Sequence, residues 1–82
     1  MIYSKDIETA KNNAIEGLKK YPGFHRFVWD LSICHILEGE PQKAIDVFET
    51  QKPDLKGMTT LYVNLGVAHY KAGNTEKAYQ LL

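Results

Sequence analysis

The sequence contains few of the residues on which many structural and chemical devices depend. It holds one cysteine and one tryptophan in 82 residues, and its ten basic residues are balanced by ten acidic ones. Because the lone Cys34 forms no internal disulfide, we expect a reducing, cytoplasmic location. The even charge balance argues against a nucleic-acid partner, since such binding needs a basic surface that neutralises phosphates.

Long apolar runs are also missing. No run approaches the roughly 20 residues that a helix needs to span a bilayer. The first turns carry Lys5, Asp6 and Glu8, unlike a signal peptide. We therefore expect no membrane partner. The 44% hydrophobic and 24% charged content is typical of a single small globular domain.

Motifs that carry chemistry are not found either. The sequence has no glycine-rich phosphate loop, metalloprotease motif or nucleophile elbow. Its closely spaced acids, Asp6 with Glu8 and Glu38 with Glu40, flank predicted helix ends, where capping and solvation account for them. We expect a protein that is not an enzyme and has no cofactor.

An internal repeat is present. A shift of 34 residues brings identical residues into coincidence at several positions. The pairs are Ala10 with Ala44, Leu31 with Leu65, His35 with His69, Gly39 with Gly73, Lys43 with Lys77 and Ala44 with Ala78. A repeat of this length predicts helical hairpins that stack on their neighbours.

Hydrophobic periodicity and helix-breaking residues predict five helical segments. They cover about residues 4–20, 24–37, 40–51, 59–72 and 74–82. Pro22 and Pro53 end the first and third, while Gly39 and Gly73 offer left-handed caps to the second and fourth. Because the gaps are short, we expect an all-α domain of antiparallel helix-turn-helix hairpins.

The most informative stretch runs from Tyr62 to Asn74 and continues through Glu76-Lys77-Ala78. It combines an aromatic residue, Leu-Gly, a glycine-polar turn and an alanine on the following helix. In these features the chain resembles the tetratricopeptide repeat (TPR) family. The resemblance implies a right-handed α-solenoid of about five helices. It divides the chain into the second helix of a preceding repeat, a full repeat and a truncated repeat, at 1–24, 25–58 and 59–82.

The resemblance assigns structural roles to small and apolar residues at repeat positions. These are Ala10, Pro22, Leu31, Ser32, Gly39, Ala44, Phe48, Tyr62, Leu65, Gly66, Gly73 and Ala78. The small residues among them are expected to let paired helices approach closely. The chain departs from the family pattern at Gln51 and Lys56, which replace the usual alanine and proline.

Two histidines, His35 and His69, also replace family aromatics one repeat apart, and Cys34 precedes the first. Neighbouring residues on a helix point about 100° apart, so Cys34 and His35 are not expected to share a tetrahedral ion. Aromatic positions filled by histidine explain the spacing better than a metal site, and we expect no metal. Cys34 is interpreted as a small core residue.

The second and fourth helices are apolar on more than one side. A helix of this kind is either buried all round or presents a binding surface. In the TPR family the second apolar face lines a concave groove. The resemblance therefore implies a partner-binding groove made of Arg26, Trp29, Asp30, Ile33, Ile36, Leu37, Thr60, Val63, Asn64, Val67, Tyr70 and Lys71.

An apolar groove favours an amphipathic helix or an extended hydrophobic peptide. We therefore expect a non-catalytic protein–protein interaction module with a protein or peptide partner. Family members that clamp a C-terminal carboxylate use lysine, arginine and asparagine side chains. Of that set only Asn64 is matched here, so this mode is not expected.

Two other interpretations stay open. In the first, the second apolar face packs on a neighbouring helix or a second copy, and the chain is a structural, self-associating segment of a longer repeat protein. Apolar residues near both ends favour such a homodimer, namely Ile7, Leu18, Tyr79, Leu81 and Leu82. Alternatively, the chain is the TPR part of a bacterial signalling or transcription-regulating protein.

Overall fold

The chain folds as five α-helices, and the computed structural model, which describes residues 3–81, contains no strand within that range. The helices are α1 (Tyr3–Lys20), α2 (His25–Leu37), α3 (Pro41–Gln51), α4 (Thr59–Lys71) and α5 (Thr75–Leu81). The predicted all-α class is confirmed, and each predicted helix is present with ends shifted by a residue at most. Leu82 lies outside the described residues.

The turns confirm the roles expected of glycine and proline. Gly39 and Gly73 follow α2 and α4 with φ angles of 76° and 90°, the left-handed region in which glycine carries no Cβ penalty. The third helix ends at Gln51 because Lys52 turns into the left-handed region, with φ of 48°, immediately before Pro53. Lys52 is the one non-glycine residue with positive φ in the described part of the chain.

The helices contact one another mainly in chain order. Each of α1, α2, α3 and α4 packs on the helix that follows it, and α2 also packs on α4. The turn before α2 is held to the end of α3, because the backbone N–H of Gly23 donates to Oε1 of Gln51 at 2.9 Å. The side chain of Gln51 therefore links the turn before α2 to the C-terminal end of α3.

The core consists of two adjoining clusters. The larger joins α1, α2, α3 and α4 through Ala14, Leu18, Val28, Leu31, Val47, Phe48 and Leu61. The smaller joins α2, α3 and α4 through Ile36, Ala44, Ile45 and Ala68. Six of the repeat positions are buried, namely Leu31, Ser32, Ala44, Phe48, Gly66 and Ala78. Leu18, expected at an open end, is likewise a core residue.

Two of the repeat positions on helices, Ala10 and Tyr62, are exposed although their equivalents one repeat away are buried. Ala10 is exposed on α1, although Ala44, its equivalent one repeat later, is fully buried. Tyr62 is exposed on α4, although its equivalent Val28 is fully buried. The reason is the same at both positions, since within residues 3–81 no further helix covers the outer side of α1 or of the α4–α5 hairpin.

No helix in the described range is long and apolar enough to cross a lipid bilayer.

The approach of α1 to α2 depends on Gly17. A Cβ built at this position would lie 2.5 Å from Cε2 of Phe27, far inside van der Waals contact. We expect Gly17→Ala to destabilise the fold by about 1 kcal/mol, because overpacking of about 1–3 kcal/mol outweighs a helix-propensity gain of about 1 kcal/mol. Urea denaturation followed by circular dichroism measures the change.

The same substitution in a Phe27→Leu background is the control. Leucine lacks the distal ring atoms, so Gly17→Ala there should be neutral or stabilising. Stabilisation by Gly17→Ala in the wild-type background would show that the Phe27 ring moves aside without cost and that the close approach is unimportant.

Candidate functional site

A groove of about 510 Å³ runs between α1 and α2. We call it the α1–α2 groove; its lining is Asp6, Ile7, Ala10, Trp29, Asp30, Ile33, Cys34 and Leu37. Apart from the two aspartates, these side chains are apolar. Both the volume, within the roughly 300–1,000 Å³ of ligand sites, and the apolar lining with few polar groups are typical of binding surfaces.

One wall of the groove is a stripe along α2. Trp29, Ile33 and Leu37 are spaced four residues apart, so they lie above one another on the same helix face. Trp29 is 38% exposed and Leu37, two turns further along α2, is 64% exposed, so large apolar side chains are left open on this face. The opposite wall comes from α1, where the small side chain of Ala10 leaves the space open.

The polar groups of the groove are acidic. Asp6 and Asp30 line it. Within the described residues, the one cation that pairs with either is Arg26, whose Nε lies 3.5 Å from Oδ2 of Asp30. The Arg26 side chain is largely exposed, so this ion pair holds the carboxylate weakly. The groove therefore favours a ligand that brings a hydrogen-bond donor or a positive charge.

Cys34 forms part of the groove floor and is otherwise buried. Burial raises the pKa of its thiol, and the nearby carboxylate of Asp30 raises it further. A thiol with a raised pKa stays protonated at neutral pH and is a poor nucleophile. Its role in the groove is that of a small apolar surface.

Four predicted groove residues meet at this site: Trp29, Asp30, Ile33 and Leu37. The predicted residues of α4 lie outside the lining, although several are exposed or half-buried, namely Thr60, Val63, Val67 and Lys71. The contribution of α1 was missed as a binding surface. The sequence signal for a role of α1 is the match between Ala10 and Ala44, because it places α1 in the position that α3 occupies one repeat later.

Two residues assigned to the groove belong to the interior. Ile36 is 8% exposed and packs with Ala44, Ile45 and Ala68. Asn64 is buried, and its Nδ2 donates to Oγ of Ser32 at 3.3 Å. Both side chains point into the contact between α2 and its neighbours, so their assignment to an open face is wrong.

Residues one repeat apart show which exposed positions share a common role. Trp29 and its equivalent Val63 are both exposed, and so are Leu37 and Lys71. Tyr70 behaves differently, because it is 57% exposed while its equivalent Ile36 is buried. Tyr70 thus belongs to the uncovered end of the α4–α5 hairpin and not to the face that carries Trp29.

One group of side chains in the described range has the spacing of a metal site. The ligand atoms of His35, Glu38 and Glu40 lie within 4.8 Å of one another. Both carboxylates are already paired, Glu38 with Lys11 at 2.9 Å and Glu40 with Lys43 at 2.8 Å. A cation would have to displace two ammonium groups, so the arrangement is that of an ion-pair network at the α2–α3 turn.

Comparison of the chain with protein-family models, with curated proteins and with solved structures finds no match. The function must therefore be argued from the chain's own residues.

The histidines make stability depend on pH. Burial lowers the pKa of His35, and burial together with Lys77 lowers that of His69. The folded state then favours neutral imidazole, while the unfolded chain takes up protons near the ordinary value of about 6.5. We expect the free energy of unfolding to fall as the pH is lowered from about 7.5 through 6.5 towards the folded-state values.

Urea denaturation at several pH values measures this dependence. His35→Phe removes the more buried of the two histidines and should flatten the dependence of the unfolding free energy on pH. Adding His69→Phe should flatten it further. A profile equally steep in the double variant would assign the dependence to other groups.

Proposed function

We propose that the chain is a non-catalytic protein-interaction module of the TPR type that binds a peptide or helix of a partner protein. The observation that carries this proposal is the α1–α2 groove, where Trp29 and Leu37 are exposed beside a half-buried Ile33. Apolar side chains left on one face of a helix that is otherwise packed are a mark of a binding surface.

The arrangement of the helices supports the TPR-type interpretation. The hairpin turns at Gly39 and Gly73 share left-handed geometry and lie one repeat apart. In addition, α2 packs directly on α4, the helix one repeat later, which is the contact expected where hairpins stack in one direction. We therefore propose a right-handed solenoid with the units 1–24, 25–58 and 59–82.

The energetics of the groove are sufficient for a specific interaction. Fully burying a large apolar side chain contributes about 1.5–3 kcal/mol, and Trp29 and Leu37, which are 38% and 64% exposed, can each contribute the corresponding part of that amount. Two such side chains at the centre of an interface can act as its anchors. The balanced charge and the buried, reduced Cys34 support a cytoplasmic protein partner over nucleic acid or a membrane.

Self-association is a second candidate, favoured by a separate observation. Tyr62, Tyr70 and Tyr79 are all exposed at the α4–α5 end of the molecule. Tyrosines that combine an apolar ring with a polar tip are common at protein interfaces. Light scattering coupled to size exclusion over a hundredfold dilution, repeated with Tyr79→Lys, separates this candidate from a monomeric module.

Selection from a displayed library of helical and extended peptides tests the proposed function. Leu37→Lys is the informative variant. Because lysine already occupies the equivalent exposed position on α4, at Lys71, the substitution should not disturb α2. We expect it to weaken selected peptides at least about tenfold, since a buried leucine is worth more than the roughly 1.4 kcal/mol of one decade in affinity.

Ile15→Lys is the matched control, because Ile15 is an exposed apolar residue of α1 outside the groove lining. It should change the same affinities less than about twofold. Failure to select any saturable binder, or peptides that bind Leu37→Lys as well as wild type, would count against the groove as the interaction site.

A further inference from the structure

We propose that the chain has a second interaction surface, made by two neighbouring turns, which binds a short acidic and partly apolar segment of a partner protein. The first turn, residues 19–26, joins α1 to α2, and the second, residues 52–58, joins α3 to α4. We call them together the basic turn surface. It shares no residue with the lining of the α1–α2 groove, so this inference goes beyond the proposed function and does not rest on that groove.

The structure brings the two turns together at one end of the helices. Consecutive helices run in opposite directions, so the turn after α1 and the turn after α3 emerge at the same end. The backbone N–H of Gly23 donates to Oε1 of Gln51 at 2.9 Å, and a Cβ on Gly23 would lie 3.9 Å from Cα of Pro53. Gly23 and Gly57 are one repeat apart and both have a φ of 75°. The two turns therefore lie side by side and share a backbone conformation at their glycines.

Charge is unevenly distributed along the chain although its sum is zero. The basic turn surface holds five basic residues and one acidic residue, and all other positions together hold five basic and nine acidic ones. The five basic residues of the surface are exposed, namely Lys19, Lys20, Arg26, Lys52 and Lys56. Its one acidic residue, Asp54, accepts a hydrogen bond from the backbone N–H of Lys56 at 3.0 Å. This end of the molecule therefore attracts anions.

Most of these cations are available to a ligand. Within residues 3–81, the side chains of Lys20, Lys52 and Lys56 pair with no carboxylate. Lys19 pairs with Glu16 at 3.0 Å, but both side chains are largely exposed, so water competes for this ion pair. Three unpaired ammonium groups on two adjoining turns favour a ligand that carries several carboxylates.

The fold does not require these charges. One repeat after Lys20 the same position is occupied by Asp54, and one repeat after Arg26 it is occupied by Thr60. A position that accepts opposite charges in two similar turns is not determined by turn geometry. The concentration of cations on this surface is therefore independent of what the turns need in order to form.

Exposed aromatic rings lie among the cations. Tyr21 is 59% exposed and Phe24 is 53% exposed, and their ring centroids are 6.2 Å apart. The ring of Phe24 also lies 5.3 Å from the half-buried ring of Phe27. The three rings form a row on which an apolar side chain of the ligand can pack while its neighbouring carboxylates meet the lysines.

The same chemistry suits two other polyanions, a nucleic acid and an anionic membrane, but the rings favour a peptide over either. Phe24 packs on a ring at each side with interplanar angles of 51° and 46°. It is therefore neither an isolated wedge for lipid nor a flat platform for a base. In addition, the surplus of acidic residues elsewhere on the chain repels an extended polyanion, whereas a short acidic segment meets only the basic turns.

The probe is a fluorescein-labelled peptide in which pairs of aspartates flank a leucine and a phenylalanine. Fluorescence anisotropy measures its binding to the whole chain. We expect saturable binding that weakens at least about fivefold when the salt concentration rises from about 0.05 M to about 0.5 M, because ions screen exposed charges. The same peptide with asparagine in place of each aspartate should bind at least about tenfold more weakly. Indifference to both changes would overturn the proposal.

Charge reversal on the protein locates the site. Lys20→Glu and Lys56→Glu should each weaken the peptide about fivefold, and together about tenfold or more, since attractive contacts become repulsive. Lys71→Glu is the matched control. Lys71 is exposed at the end of α4, about 18 Å along the helix from Thr59, which is beyond the roughly 8 Å reach of screened charges.

The control should change the affinity less than about twofold. An equal loss with the control and with Lys56→Glu would show that the peptide responds to overall charge, and the basic turn surface would not be its site. Circular dichroism of each variant establishes that the helices are intact.

Tyr21→Ser tests the aromatic contact. Because Tyr21 is mostly exposed, the substitution should leave the fold intact, and it should weaken the peptide about threefold. A second peptide, with alanine in place of its leucine and phenylalanine, should lose less than about 1.5-fold from the same substitution, because the contact is already absent. Equal losses for the two peptides would show that the ring does not meet the apolar residues of the ligand.

Two comparisons test the other polyanions. The binding of oligouridylate and of vesicles containing phosphatidylserine is measured with the same charge-reversal variants. If either binds more tightly than the peptide and is weakened by Lys20→Glu with Lys56→Glu, the surface is a nucleic-acid or membrane site and the proposal is overturned. Leu37→Lys should change binding of the acidic peptide less than about twofold, which keeps this result separate from that for the α1–α2 groove.

Discussion

The structure depends on the packing of α2, which contacts α1, α3 and α4 at once. Val28 and Leu31 belong to the larger core cluster and Ile36 to the smaller one, so α2 contributes to both. At Ser32 a polar contact is buried in the interior. The hydroxyl donates to the carbonyl oxygen of Trp29 and accepts from the amide of Asn64, so that neither buried side chain is left without a partner.

The candidate site is a consequence of that packing. With α2 packed on its neighbours, Trp29 and Leu37 stay exposed beside a half-buried Ile33, and this stripe is one of the apolar surfaces that the described helices leave open. Because the supporting helix is held by other helices, the stripe is presented on a rigid element. A surface ordered before binding loses less conformational entropy when a partner arrives, and this favours affinity without a large contact area.

Much of the fold could be predicted because its signals are local. Pro22, Gly39 and Gly73 act through backbone geometry at their own positions, and in each case the preceding helix ends two residues before them. The candidate site was harder to predict, because an apolar residue on α2 is equally suited to core or surface. Ile36 and Leu37 are adjacent and both aliphatic, yet one is buried and the other is mostly exposed.

The sequence by itself determined where helices form and that small residues recur at a fixed spacing, since periodicity, capping and turn chemistry act within a few residues. The tertiary structure alone decided which members of the repeat are covered. Ala10 and Ala44 have the same identity and the same position in a repeat, but only Ala44 has a helix packed on it. Burial depends on neighbours distant in the chain, and for that reason the groove emerges only when α1 and α2 are placed together.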